Sequence, residues 1–173
     1  HPQTLKLVTH HWSANWLKGF DVYQQVDAMI ESGELPGVSL TVIGRWPDDL
    51  EWKTASTFGP MQGLPLARQL RSHHAYITAS RWEPCGMHHV EGIQCGLPLL
   101  YHEDGGGIVE AGRRCGIGYR DSVVDAIQAM KRKLPAYRRE AVRAGLSGER
   151  MVLDFMEVIH HLMFCSAAGD ELS

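Results

Sequence analysis

The sequence predicts an α/β fold: a three-layer, Rossmann-like arrangement in which a parallel sheet carries helices on both faces. Three features point to it. Short apolar and β-branched runs recur along the chain, helical stretches of about 8 to 15 residues separate them, and glycine- or proline-bearing turns mark the junctions. Strands joined through helices form right-handed βαβ units, because a twisted strand feeding a right-handed helix packs back on the sheet in that sense alone.

Taken in order, Leu5-Lys6-Leu7-Val8-Thr9-His10 is expected to be the first strand and Ser13-Ala14-Asn15 a loop. Phe20, Tyr23, Val26 and Ile30 then form the apolar stripe of a helix that ends at Gly33 and Pro36-Gly37. Val38-Ser39-Leu40-Thr41-Val42-Ile43-Gly44 is the clearest strand, closed by Trp46-Pro47-Asp48-Asp49. A short strand over 54–58, a helix over 64–71, a buried strand at Ala75-Tyr76-Ile77-Thr78 and a helix over 86–94 follow. Leu97-Pro98-Leu99-Leu100-Tyr101 reads as another strand, with a helix from Ile108 and an edge strand at Gly116-Ile117-Gly118-Tyr119 behind it. From Asp121 the pattern is helical, with two helices over 136–166 packing outside the sheet. The whole of 1–173 is thus one domain, its core over about 4–133 and its C-terminal helices over about 134–168. In such sheets ligands sit at the carboxyl ends of the strands.

At 44% apolar and 21% charged residues, 173 residues suffice for an ordered core, which excludes disorder. A net charge of −3 with scattered cations excludes nucleic acid as a partner. No apolar run approaches the roughly 20 residues that span a bilayer, and His1-Pro2-Gln3 opens no signal peptide, so a soluble, cytoplasmic protein is expected. The missing initiator methionine suggests a piece of a longer chain. Cys85, Cys95, Cys115 and Cys165 have no C-x-x-C spacing and are expected to be reduced thiols. Eight of the ten histidines fall in adjacent pairs. Neighbouring side chains diverge on strands and helices alike, so no metal is expected.

The chemistry concentrates in residues 80–96. Glu83 falls in the loop that leaves the Ala75–Thr78 strand, and Glu91 in the second turn of the helix that follows, so both can face one crevice. Helix N-terminal amides from Cys85 to His88 offer positive partial charge to an anion such as a diphosphate, and a carboxylate accepts two hydrogen bonds from a ribose diol. Taken alone, Glu83 reads as a capping residue and Glu91 as a solvated carboxylate.

In context, Ser80, Glu83, Cys85, Gly86 and Glu91 resemble the C-terminal, donor-binding domain of retaining GT-B-fold glycosyltransferases of the glycosyl transferases group 1 and glycogen synthase-like type. There a serine precedes a glutamate by two or three residues, and a glycine leads into a helix that reaches a second glutamate. Lys18-Gly19, Val42-Ile43-Gly44, Phe58-Gly59, Gly96-Leu97-Pro98 and Gly105-Gly106 follow the family's order, so the resemblance covers about the first 130 residues. It implies binding of a nucleoside diphosphate sugar and transfer of a hexosyl group to an acceptor hydroxyl with retention. Lys18 would neutralise the departing diphosphate, and Glu83, with the amides of Cys85, Gly86 and Met87, would hold the donor sugar; these two side chains are the catalytic candidates. Glu91 would hold the ribose, Gly44 and Arg45 would border the donor from the second strand, and backbone near Pro60 and Met61 would border the base. Ser13 stands where the family places an arginine on the diphosphate, leaving His10, His11 or Arg45 to substitute or the donor to be held weakly. Glu110 also matches a residue common in the family, although a first-turn helix carboxylate accounts for it equally well.

The resemblance also implies no metal and no cofactor. A sugar, lipid or protein acceptor would bind through an N-terminal domain that this length does not accommodate, so little or no transfer is expected of the chain alone; membrane association of the full enzyme stays open. A dehydrogenase is excluded, since G-x-G-x-x-G from Gly105 would need glycine at Glu110 and the loop after the first strand has none. A GT-B-shaped sugar-nucleotide epimerase and a non-catalytic nucleotide- or partner-binding domain are the remaining alternatives.

Overall fold

A computed structural model describes residues 4–164. The elements are β1 Leu5–His11, α1 Phe20–Glu31, β2 Val38–Gly44, β3 Ser56–Phe58, α2 Gly63–Arg71, β4 Ala75–Thr78, α3 His88–Gln94, β5 Leu99–His102, α4 Gly107–Cys115, β6 Gly116–Tyr119, α5 Val123–Arg143 and α6 Gly148–Phe164. All six strands pair in parallel in the order β3-β2-β1-β4-β5-β6, and the class is the expected α/β, Rossmann-like one. β1 lies at the centre, with Leu5 opposite Val38 of β2 and Leu7 opposite Ala75 of β4.

The period-two geometry of a strand sorts β1 between two cores. Leu5 and Leu7 join Phe20, Tyr23 and Val26 of α1, Leu40 and Val42 of β2, and Val123, Ile127 and Met130 of α5 on one face. Val8 joins Leu66 and Leu70 of α2, Tyr76 of β4, Ile93 of α3 and Ile108 of α4 on the other. The same parity sends His11 toward Tyr23, 3.0 Å away, and His10 toward Tyr76, also 3.0 Å away.

Strand order reverses at β1. The chain moves outward from β1 to β2 and β3, then returns to the other side of β1 at β4. α1, leaving β1, packs on one face, and α3, following β4, packs on the other. A crevice opens at the carboxyl ends where the two connections diverge, which is where open α/β sheets place their ligands.

β5 begins at Leu99 rather than Leu97 and β3 at Ser56 rather than Thr54, and two helices differ further from expectation. α3 begins at His88 rather than at 86, so Cys85, Gly86 and Met87 belong to the loop and Glu91 lies in the first turn rather than the second. Gly107 N–H and Trp82 N–H tie this loop to the 103–107 loop, at 3.0 Å to Glu83 O and 2.7 Å to Asp104 O, and these cross-loop bonds hold the segment out of a helix. The helix after Asp121 is not broken at about 134: α5 runs on to Arg143, bent at Lys133 two residues before Pro135. Proline removes a helical hydrogen bond and crowds the preceding turn, which kinks a helix without having to end it. α6 then supplies the second tail helix, with Val152, Phe155, Met156, Ile159, Leu162 and Met163 exposed. Cys165, Ser166 and the end of the expected tail lie outside the described residues. Among those described, no helix is long and apolar enough to cross a membrane.

The first loop approaches β4 closely at Gly19. Its φ is +86°, and a Cβ there would stand 2.2 Å from the Cβ of Ala79 and 2.3 Å from its carbonyl oxygen. Any side chain therefore forces the 12–19 loop away from the end of β4. Gly19→Ala is expected to lower the stability to urea unfolding by about 3 kcal/mol; a loss below about 1 kcal/mol would show that the loop is not held against β4 as described.

Candidate functional site

Three loops meet over the crevice. In the first, Asn15 accepts Leu17 N–H at 2.9 Å and caps the single 3-10 turn Trp16–Lys18. That turn is fixed to the loop after β4 by Arg81 N–H, which donates to Leu17 O at 2.9 Å, and by the Arg81 guanidinium, which reaches both oxygens of Asp21 at 3.0 and 2.8 Å. On its other side the same loop bridges Gly106 at Glu83. Gly106 has φ +66°, and a Cβ on it would lie 2.6 Å from Glu83 O, so the glycine permits the contact. Held from both sides, Trp82 takes φ +52°, a conformation uncommon for residues other than glycine.

The crevice between these loops has a volume of about 260 Å³, and its wall includes His10, His11, Trp12, Ser13, Lys18, Glu83, Cys85, Gly86, Met87, His88 and Glu91. Lys18 Nζ donates to Glu83 Oε2, joining the first loop to the second in a half-buried ion pair. Glu91 stands at the lip, its side chain 42% exposed, with Oε2 2.8 Å from His10 Nε2. It also borders a second cavity of about 210 Å³ between α2 and α3, lined by Gly63, Leu66, Arg71 and Gln94 among others. One carboxylate thus stands between two adjoining cavities.

A scan of protein-family models and a search of curated proteins found no match. Solved structures do match. The pneumococcal O-GlcNAc transferase GtfA, in complex with UDP and GlcNAc, aligns with a TM-score of 0.65 at 19% identity over 92% of this chain and 36% of its own. The sucrose-phosphate synthase of Thermosynechococcus elongatus aligns with a TM-score of 0.67 at 17% identity over 94% of this chain and 46% of its own. WaaG, a glycosyltransferase of lipopolysaccharide biosynthesis, gives 0.59 at 16% identity over 85% and 44%. These are GT-B glycosyltransferases. The chain has the fold of one GT-B half. It spans less than half the length of each of these structures.

Within this GT-B half, the loops bring Ser13, Lys18, Glu83, Cys85, Gly86, Met87 and Glu91 to one cleft. Gly44, Arg45, Pro60 and Met61 are outside its wall. Gly44 packs on the backbone of His11, and Arg45 N–H donates to His11 O at 2.9 Å, so these two support β1 from β2. Met61 is partly buried against the α2–α3 core, two residues before the Gly63 that borders the second cavity.

The sequence reading raised His10 and His11 only as substitutes for an arginine and did not single out His88. All three line the cleft. Burial above all pushes His11 and His88 well below the usual histidine range. His89 is lowered by burial to about 4. The Tyr23 hydroxyl accepts Ala79 N–H at 2.8 Å, and His11 Nε2 lies 3.0 Å from both the Tyr23 and the Thr9 hydroxyl. The other ring nitrogen, Nδ1, is buried and has no partner among the described residues. Among those residues no three histidine, cysteine, aspartate or glutamate side chains are grouped to hold a metal ion.

Three buried histidines kept neutral make stability depend on pH. The unfolded chain protonates them near 6.5 and the folded chain only at lower pH, so stability is full above about 6.5 and falls as pH drops toward 4. Between pH 7.5 and 5.0, urea unfolding is expected to show a loss of about 2 kcal/mol from His89 alone. A flat profile over that range would contradict the burial of these rings.

Proposed function

We propose that this GT-B half binds a nucleoside diphosphate sugar and is the donor domain of a retaining glycosyltransferase. The observation that carries the reading is the meeting of Lys18, Glu83 and Glu91 in one cleft at the strand-order reversal of the sheet. Lys18 places a point charge on the diphosphate, where negative charge develops as the sugar leaves. Glu83 accepts hydrogen bonds from the donor sugar while remaining beside Lys18, and the backbone amides of Cys85, Gly86 and Met87 face the same group. Glu91 holds the ribose, with the base directed past it into the cavity between α2 and α3.

His11 suits the position left by the absent arginine. His10 is already bonded to Glu91 and Tyr76, and Arg45 lies outside the wall. His11 lines the cleft with a neutral ring whose Nδ1 has no partner among the described residues. It adds a hydrogen bond but no charge, and Lys18 is already shared with Glu83. Weaker donor binding than an arginine at that place would give follows.

A second, acceptor-binding half completes the reaction in this account. The diphosphate leaves with help from Lys18, the acceptor hydroxyl attacks from the same face, and the anomeric configuration is retained. The structural match to a transferase seen with UDP and GlcNAc makes UDP the first nucleotide to test. Calorimetric titration of the chain with UDP, GDP and ADP is expected to show binding of at least one. Lys18→Ala and Glu91→Ala should each weaken it about tenfold or more, and Lys18→Ala should leave the parent nucleoside unaffected. Binding of none of the three would refute the donor reading. A non-catalytic or epimerase descendant would bind nucleotide in the same way, but the protein joined to its acceptor half would release no free nucleoside diphosphate when given acceptors.

A further inference from the structure

Glu91 sits at the open lip of the cleft, where a free glutamate side chain would sample several rotamers. Instead, Oε2 is bonded to His10 Nε2 at 2.8 Å. His10 is itself immobilised. It is 2% exposed, its ring stands edge-on to Tyr76 with centroids 5.5 Å apart and edge-on to His88 at 6.3 Å, and its Nδ1 is 3.0 Å from the Tyr76 hydroxyl.

The Tyr76 hydroxyl gives these bonds a consistent direction. The Tyr76 hydroxyl accepts the backbone N–H of His10 at 3.0 Å. Burial pushes Tyr76 well above the usual tyrosine range, so the hydroxyl keeps its proton and must donate it. Its nearer acceptor is His10 Nδ1 at 3.0 Å, against 3.3 Å to His10 O. A neutral ring that accepts at Nδ1 carries its proton on Nε2, the atom facing Glu91. The chain of bonds runs from Tyr76 through His10 to Glu91, anchored in the sheet at β4 and β1.

We propose that His10 is a positioning residue for ribose recognition: its Nε2–H fixes one oxygen of Glu91, leaving the other oriented toward the ribose diol of a nucleoside diphosphate. This rests on the donor reading above. Ordering the carboxylate before the ligand arrives removes an entropy loss from binding, and the imidazole matches the carboxylate that a ribose diol requires as acceptor. β-Strand parity makes the arrangement specific to His10, because His11, next in sequence, faces the opposite core.

Two substitutions separate the positioning role from a structural one. The amide nitrogen of glutamine reaches about as far as Nε2, whereas that of asparagine reaches only the Nδ1 position. His10→Asn is therefore expected to weaken nucleoside diphosphate binding about tenfold, while His10→Gln stays within about threefold of the unsubstituted chain. Inorganic pyrophosphate, which has no ribose, should bind all three alike. The His10→Asn loss should disappear for the 2′,3′-dideoxynucleoside diphosphate and in a Glu91→Ala background. An equal loss for pyrophosphate, or equal losses for the two variants, would show that His10 only maintains the fold. Unchanged nucleotide binding by His10→Asn would overturn the proposal outright. Nitrogen-15 NMR of the His10 ring gives a ligand-independent reading: an Nε2–H tautomer whose Nε2 resonance moves in Glu91→Ala is expected, and an Nδ1–H tautomer would overturn the bond to Glu91. If the unsubstituted chain binds no nucleotide, the donor reading fails and the ribose role fails with it, while the NMR signal still reports whether His10 holds Glu91.

Discussion

β1 and β4 run side by side, yet the connections that leave them part company, α1 to one face of the sheet and α3 to the other. Every feature of the candidate site depends on that divergence. It opens the crevice, sets the loop carrying Lys18 against the loop carrying Glu83, and puts the start of α3, with Glu91, above the end of β1. Gly19 and Gly106 then allow the neighbouring loops to close on the Glu83 loop, since side chains at either position would collide with backbone. The site is thus built from three loops locked together rather than from one helix terminus. α3 has only seven residues, and the charge it presents to an anion is correspondingly secondary to Lys18.

The electrostatic design is restrained. The cleft contains one lysine, paired with a glutamate, and two histidines, His11 and His88, that burial keeps neutral. A strong fixed positive charge is missing where the resemblance leads one to expect an arginine, and Ser13 occupies that place. A neutral ring offers hydrogen bonding without overcharging a cleft, at the expense of affinity for an anion. A donor held loosely by this half is compatible with a cleft that a second half completes, because contacts from both sides then share the binding.

Much of the sheet was legible in the sequence, because a parallel sheet covered on both faces makes its strands short, continuous apolar and β-branched runs. β2 has the expected bounds of Val38–Gly44, and β4 those of Ala75–Thr78. Lys18, Glu83 and Glu91 were singled out through the family resemblance, since taken alone each reads as an ordinary capping or solvated residue, and the structure brings the three to one cleft. The start of α3 was not legible. Gly86 suggested a helix beginning there, but hydrogen bonds from Trp82 and Gly107 between loops distant in sequence keep 83–87 irregular. His10 was equally obscure, since a histidine late in an apolar strand reads as core, and only the parity of β1 against α3 shows that it faces Glu91. The continuity of α5 past Pro135 was hidden for a related reason: local sequence signals a kink there but not whether the helix resumes.

The central claim is that one ligand spans Lys18, Glu83 and Glu91. A structure of this chain with a bound nucleoside diphosphate tests it most directly. The account predicts phosphate oxygens within hydrogen-bond reach of Lys18 Nζ, the ribose hydroxyls on the Glu91 carboxylate, and the base in the cavity between α2 and α3. A nucleotide bound away from the β1–β4 crevice, or bound there with its phosphates on Glu91 and its ribose at Lys18, would contradict it.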